Sequence, residues 1–285
     1  MSEPVLPPPE EWARLVPAPQ SIVWRRAGDP RVLLAAGYAL VMQVAHPTVG
    51  AGVSEHSSFR EDPWGRLLRT LDAFYMLVYG GPEAAAQTGR RLRAFHRSIT
   101  GIANDGRRYR ALEPEAYAWV HATLADAIVR GHARVGKPLA ASERERFWVE
   151  WRGVGRLLGV RARELPADWS EFEAYVDHMT RDRLEHTPAV DDVLATLAAP
   201  GPPPVPLPLR AGWPVAGIPL SRALVLATTG LLPPVLRERF GLGWSRHQEL
   251  ELDVLARALR SMTPVLGIAR VVGPAYLRLR RAVRV

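Results

Sequence analysis

The chain has 285 residues, of which 47% are hydrophobic and 23% charged, an ordinary globular composition that excludes global disorder. The formal net charge of +8 comes from 37 basic residues, and Lys137 is the one lysine among them. These arginines are scattered along many segments without a basic tail, which argues against nucleic acid as a partner and permits an anionic ligand or contact with an anionic membrane surface. The absence of cysteine excludes disulfides, thiolate metal sites, a cysteine nucleophile and a covalently attached c-type haem.

The first stretch, MSEPVLPPPEEW, has no basic-then-apolar signal pattern, and residues 1–19 are expected to form an N-terminal arm ahead of one large helical domain over 20–285. No apolar run reaches the length of a membrane span, so a cytoplasmic protein is expected. Helix starts then recur along the chain. Asp29-Pro30 and Asp62-Pro63 pair an N-cap with a proline at the first helical position, and Ser142 with Glu145 and Ser170 with Glu173 have the spacing of capping boxes. Helices are predicted over 30–46, 63–79, 82–100, 114–131, 143–159, 171–186, 188–199, 219–231, 245–262 and 265–281, with no strand alternation anywhere. The segment 200–214, PGPPPVPLPLRAGWP, is a proline-rich connector.

Helix 30–46 is apolar on nearly every face and should be the central core helix, ending at His46-Pro47. The following VGAGVSEHSSF is predicted to be a glycine-rich loop that crosses to Asp62 and offers Glu55 and His56 near a buried helix end. On helix 63–79, Arg66, Arg69 and Thr70 lie within one turn and can reach a common ligand; the ordinary alternative is that these arginines are solvated or pair with Asp62 and Asp72. His96 sits on the apolar face of helix 82–100 beside Phe95, among Arg90, Arg91, Arg93 and Arg97. A core histidine is commonly a packing residue, and an imidazole so presented also suits a proximal haem ligand, with arginines available for the propionates. His121 is read as a core residue, and His132, His178, His186 and His247 as surface or capping residues. Glu-x-x-His pairs, His-Glu-x-x-His, Gly-x-Ser-x-Gly and phosphate-binding glycine loops are all absent.

The run WRRAGDPRVLLAAGYALVMQVAHPTVGAGVSEHSSFREDPWGRLLRT, followed by VYG, RRLRAFHRSITG, YAWVHATL and LLPPVLRERFGLGWS, resembles the rubber-oxygenase catalytic-domain family, which includes the latex clearing protein and MpaB-type oxygenases. The resemblance covers roughly residues 20 to 280, and its specificity lies in the order of the motifs. It implies an all-α, globin-like domain of about ten helices around a buried, non-covalent haem b. Carried over, His96 is the proximal iron ligand, Arg66 and Thr70 lie beside the haem and help fix it or its bound oxygen, and Arg69 and His46 are expected in the cofactor pocket, with His46 equally a helix-end hydrogen bonder. Glu55 is the candidate for a distal carboxylate that removes an allylic proton, with His56 beside it as a base or propionate partner.

Two departures stand out. The latex clearing protein is exported and this chain shows no export signal, which speaks against an extracellular polymer as substrate. The latex clearing protein carries a lysine in an R-x-x-K-T arrangement that can occupy the distal iron site, and Arg69 stands there in this chain; a guanidinium stays protonated and cannot bind iron, so an open or water-occupied distal position is expected. The function expected is a haem b oxygenase that uses O₂ to cleave or oxygenate an unsaturated apolar small molecule, such as a terpenoid or polyketide side chain. The alternatives are a peroxidase-like or dehydrogenating haem protein, or a non-catalytic haem sensor. Oligomeric state is left open.

Overall fold

A computed structural model describes residues 6–57, 59–103, 105–204 and 212–262. The predicted helix 265–281 and part of the connector 200–214 lie outside these residues. Thirteen α-helices account for most of the described chain: α1 Pro9–Leu15, α2 Ile22–Ala27, α3 Ala36–Val44, α4 Pro47–His56, α5 Pro63–Tyr79, α6 Pro82–Arg97, α7 Pro114–Val135, α8 Ala141–Leu158, α9 Trp169–His178, α10 Pro188–Ala198, α11 Trp213–Leu231, α12 Pro234–Arg239 and α13 Arg246–Ser261. The all-α reading holds, with one small exception described below.

The proline-led starts are where the sequence puts them. The Asp29 carboxylate accepts from the Arg31 amide at 3.0 Å and that of Asp62 from the Gly65 amide at 2.8 Å, each satisfying an orphan N–H of the first turn. The two expected capping boxes are displaced toward the N-terminus. Helix α8 opens with Glu143 accepting from the Ala140 amide at 3.1 Å, and α9 with Asp168 accepting from the Glu171 amide at 2.9 Å. An acidic residue two positions upstream of the expected Ser170 cap wins because its carboxylate is the stronger acceptor at a helix N-terminus.

The apolar segment 30–46 divides into a 3-10 turn, Pro30–Ala35, and α3, whose Tyr38, Val41, Met42 and Val44 are buried. Helix α3 packs against α4, α7, α10 and α11. Trp119 on α7 donates its indole N–H to the Met42 carbonyl at 2.8 Å, which anchors α7 along the central helix. Leu232, Leu236 and Phe240, beyond the proline-rich segment, belong to the same core cluster as Tyr38 and Trp119. Arg239 of α12 donates to the carbonyls of Thr180 at 3.0 Å and Arg181 at 2.9 Å, where α9 runs on into a π-helical turn, Met179–Arg183.

Three expectations are corrected. The segment read as a glycine-rich loop is helix α4, because Pro47 ends α3 and serves as the first residue of the next helix; the two segments meet at a 104° bend. The chain after His96 is not helical to residue 100 but turns into a hairpin, β1 Thr100–Ile102 paired antiparallel with β2 Arg108–Arg110. A three-residue strand is too short for alternation to be read from sequence. Helix α11 begins at Trp213 rather than 219, since Pro219 is tolerated inside it where the Val215 carbonyl, four residues back, belongs to a residue 79% exposed. So extended, α11 is long and apolar enough by length and composition to cross a membrane, against the expectation that no segment would be.

His121 is a core residue, as expected. Its Nε2 donates to the Trp151 carbonyl at 3.0 Å, the Trp151 indole donates to the His121 carbonyl at 3.0 Å, and the rings stack 5.1 Å apart. His132 is buried rather than on the surface, and it does cap: its Nε2 donates at 2.9 Å to the Arg26 carbonyl in the last turn of α2. His178 and His186 pair on the exposed surface with Asp182 and Asp191.

Two outcomes follow from this packing. Burial lowers the His121 imidazole from 6.5 to about 4, so the unfolded chain takes up a proton there before the fold does. Stability contributed by neutral His121 is present above pH 6.5 and lost as pH falls below it, about 2 kcal/mol between pH 7 and pH 5. Urea titrations at the two values should show the loss, and equal stabilities would contradict it. Gly89 lets α6 approach α8 so closely that an added Cβ would lie 2.1 Å from the Leu157 carbonyl oxygen. Backbone cannot yield as a side chain does, so Gly89→Ala should cost about 1–3 kcal/mol in the same assay.

Candidate functional site

The 104° bend after α3 lays α4 against α3, α10 and the hairpin strand β2. The end of α4 brings Glu55 and His56 beside Tyr109 of the hairpin and Ser57 beside Arg66 of α5. On α5, Arg66 donates to the Ser57 hydroxyl, and its guanidinium carbon lies 5.6 Å above the Phe59 ring. No carboxylate pairs with Arg66 among the described residues. Burial, and the Arg69 charge next to it, both disfavour its protonated form. A guanidinium remains charged nevertheless, so Arg66 is a half-buried cation without a protein anion.

His96 lies close enough to Arg66 to feel that charge. Burial first and Arg66 as a further cause lower its pKa, and the Leu92 carbonyl one turn back on α6 opposes them. The imidazole is thus held neutral, the form that binds a metal. Its Nδ1 is fully buried without a hydrogen bond of ordinary geometry, its ring stands edge-on to Tyr117 at 5.7 Å, and neighbouring Phe95 is 59% exposed.

The remaining expected residues divide. Glu55 accepts from the Tyr109 hydroxyl and has an oxygen 3.8 Å from His56 Nε2. Arg69 is exposed and bonds Asp62 at 3.1 Å, which is the ordinary pairing weighed for it, and Thr70 is exposed with its hydroxyl donating to the Arg66 carbonyl at 2.9 Å. Asp72 lies 4.0 Å from Arg91. His46 sits at the opposite end of α4 from Glu55, about 14 Å along a helix of this length. It is buried, with Nε2 3.2 Å from Glu115, and Arg183 shares that carboxylate. Burial lowers the His46 pKa against the pull of Glu115. Tyr109 was not singled out in the sequence; its signal is the lone apolar position in Arg108-Tyr109-Arg110, flanked by two exposed arginines.

Among the described residues no three histidine or acidic side chains group closely enough to hold a metal ion. A family model described as the catalytic domain of the ER-bound oxygenase mpaB/B′ and rubber oxygenase matches residues 24–261, which include every site residue above. The chain belongs to that family. Uncharacterized proteins of Mycobacterium bovis and Mycobacterium tuberculosis are each 28% identical to it over 225 residues, covering 78% of this chain and 84% of theirs. No solved structure matches. Membership supports an oxygenase-type enzyme.

If Arg66 is kept to meet an anion, removing its charge should not harm the ligand-free fold. Arg66→Leu is expected to leave the melting temperature unchanged or raise it, because it deletes an uncompensated, half-buried charge. A drop of many degrees by calorimetry would show Arg66 to be structural.

Proposed function

We propose that this protein is a haem b-dependent oxygenase that cleaves or oxygenates an unsaturated, apolar small molecule, with a terpenoid or polyketide side chain as the substrate class. The observation that carries the reading is the neutral imidazole of His96 beside the uncompensated cation of Arg66. A neutral imidazole can ligate haem iron, and a cation can meet its propionates. The lack of a multi-residue metal cluster among the described residues suits an iron that brings most of its ligands in a porphyrin.

In this reading His96 would hold the iron, through Nε2, since its Nδ1 is buried. Arg66 binds a propionate, oriented by the Ser57 hydroxyl and the Phe59 ring beneath it. Exposed Phe95, next to His96, offers an apolar face to the porphyrin or the substrate. The helices would then enclose the group as globin helices do. When bound, haem iron supplies the reaction with dioxygen, which no side chain can. Glu55 is the acceptor for a substrate proton, at the carboxylate oxygens that Tyr109 and His56 flank. Arg69 and Thr70, both exposed on α5, line the approach to Arg66. His46 acts from the far end of α4 as a hydrogen-bonding group that holds the bend.

The test is to load the protein with haem, reduce it, and incubate it with candidate alkenes under isotopically labelled oxygen. Label in a carbonyl or hydroxyl product is expected. Turnover without label would replace the oxygenase with dehydrogenating chemistry, and Arg66→Leu protein that keeps full haem affinity would overturn the propionate assignment.

A further inference from the structure

The hairpin brings Tyr109, which lies outside the quoted motifs, to Glu55, which lies inside them. Antiparallel pairing sets Gly101 of β1 opposite Tyr109 of β2. Tyr109 is buried while Arg108 and Arg110 point to solvent, so the short strand turns one side chain inward, toward α4. There the phenol hydroxyl donates to Glu55 Oε2. The tyrosine ring also rests within 3.7 Å of where a Cβ on Gly52 would stand, one turn before Glu55.

Gly101 makes this contact possible. A Cβ at that position would come within 2.5 Å of the Tyr109 hydroxyl oxygen and 2.7 Å of Glu55 Oε2. The strand backbone is therefore pressed against the hydrogen bond itself, and only glycine allows so close an approach. Burial and the adjacent carboxylate push the Tyr109 phenol up to about 12, so it stays a donor throughout the neutral range. Without it, Glu55 would be a half-exposed side chain at a helix end, with several rotamers open to it. With it, Oε2 is fixed and Oε1 is left toward His56, whose ring meets the Tyr109 ring edge-on at 6.2 Å.

We propose that Tyr109 is the positioning residue for Glu55, and that the hairpin exists to bring its hydroxyl to that carboxylate and hold it as a fixed acceptor at the edge of the ligand site. The identity of that ligand rests on the haem reading above; the positioning contact itself does not.

The side-chain carboxyl carbon of Glu55 reports on both. In protein labelled with carbon-13 glutamate its NMR resonance is assigned by its loss in Glu55→Gln. In haem-free protein Tyr109→Phe should move that resonance, as should Gly101→Ala, which displaces the phenol by a different route. Adding ferric haem should broaden the Glu55 resonance through paramagnetic relaxation in the natural protein, and the broadening should differ in Tyr109→Phe. A resonance indifferent to both substitutions overturns the positioning role. Haem that binds by absorption yet leaves Glu55 sharp also overturns it, by removing the carboxylate from the ligand site. A protein that takes up no haem sinks the functional reading instead, and the haem-free resonances then decide the role of Tyr109 alone.

Discussion

The constraint on which this structure depends is that α3 is apolar on nearly every side and must be surrounded. Tyr38, Val41, Met42 and Val44 can all be buried only if α7, α10 and α11 close around them. Having filled that volume, the chain cannot continue straight. The Pro47 ring ends α3, and the 104° bend at Ala45-His46 is the way out of the core. Helix α4 then runs outward until its last turn stands between α5 and the hairpin, where Ser57 meets Arg66 and Glu55 meets Tyr109. The polar groups near the end of a hydrophobic run are thus placed by the same packing requirement that expels them.

The site holds an arginine, Arg66, that no described carboxylate pairs with. Within the core, Asp126 accepts from Tyr38 and from Arg130, Asp29 and Arg31 pair, and His121 exchanges hydrogen bonds with Trp151, although the Nδ1 atoms of His121 and His132 are buried without a bond. At the site, Arg66 has a hydroxyl and an aromatic face but no anion, and His96 has a buried nitrogen without a bond.

Much of the fold could be read in the sequence because it rests on local chemistry. The span of α5, Pro63–Tyr79, follows from Asp62-Pro63 at one end and Gly80 at the other. What escaped was set by distant contacts. Helix α4 contains two glycines in a row of small residues and reads as a loop; its helicity depends on Pro47 and on packing against α10 and β2. The hairpin is three residues a side, and Tyr109 acquires meaning only from Gly101 and Glu55, which are 8 and 54 positions away. In the site, His96 lies within range of the Arg66 charge, whereas His46 pairs with Glu115 and Arg69 with Asp62. Those partners lie on α7 and at the head of α5, and nothing in the motif spacing reports them.

The central claim, that His96 provides the axial nitrogen for a haem, is tested most directly by chemical rescue. His96→Gly protein would be titrated with haem and followed by absorption spectroscopy, first without and then with free imidazole, against the natural protein under the same conditions. The account predicts stoichiometric binding by the natural chain, loss of the six- or five-coordinate histidine spectrum in the variant, and its return when imidazole fills the space. A His96→Gly variant whose haem spectrum matches that of the natural protein without imidazole would contradict it.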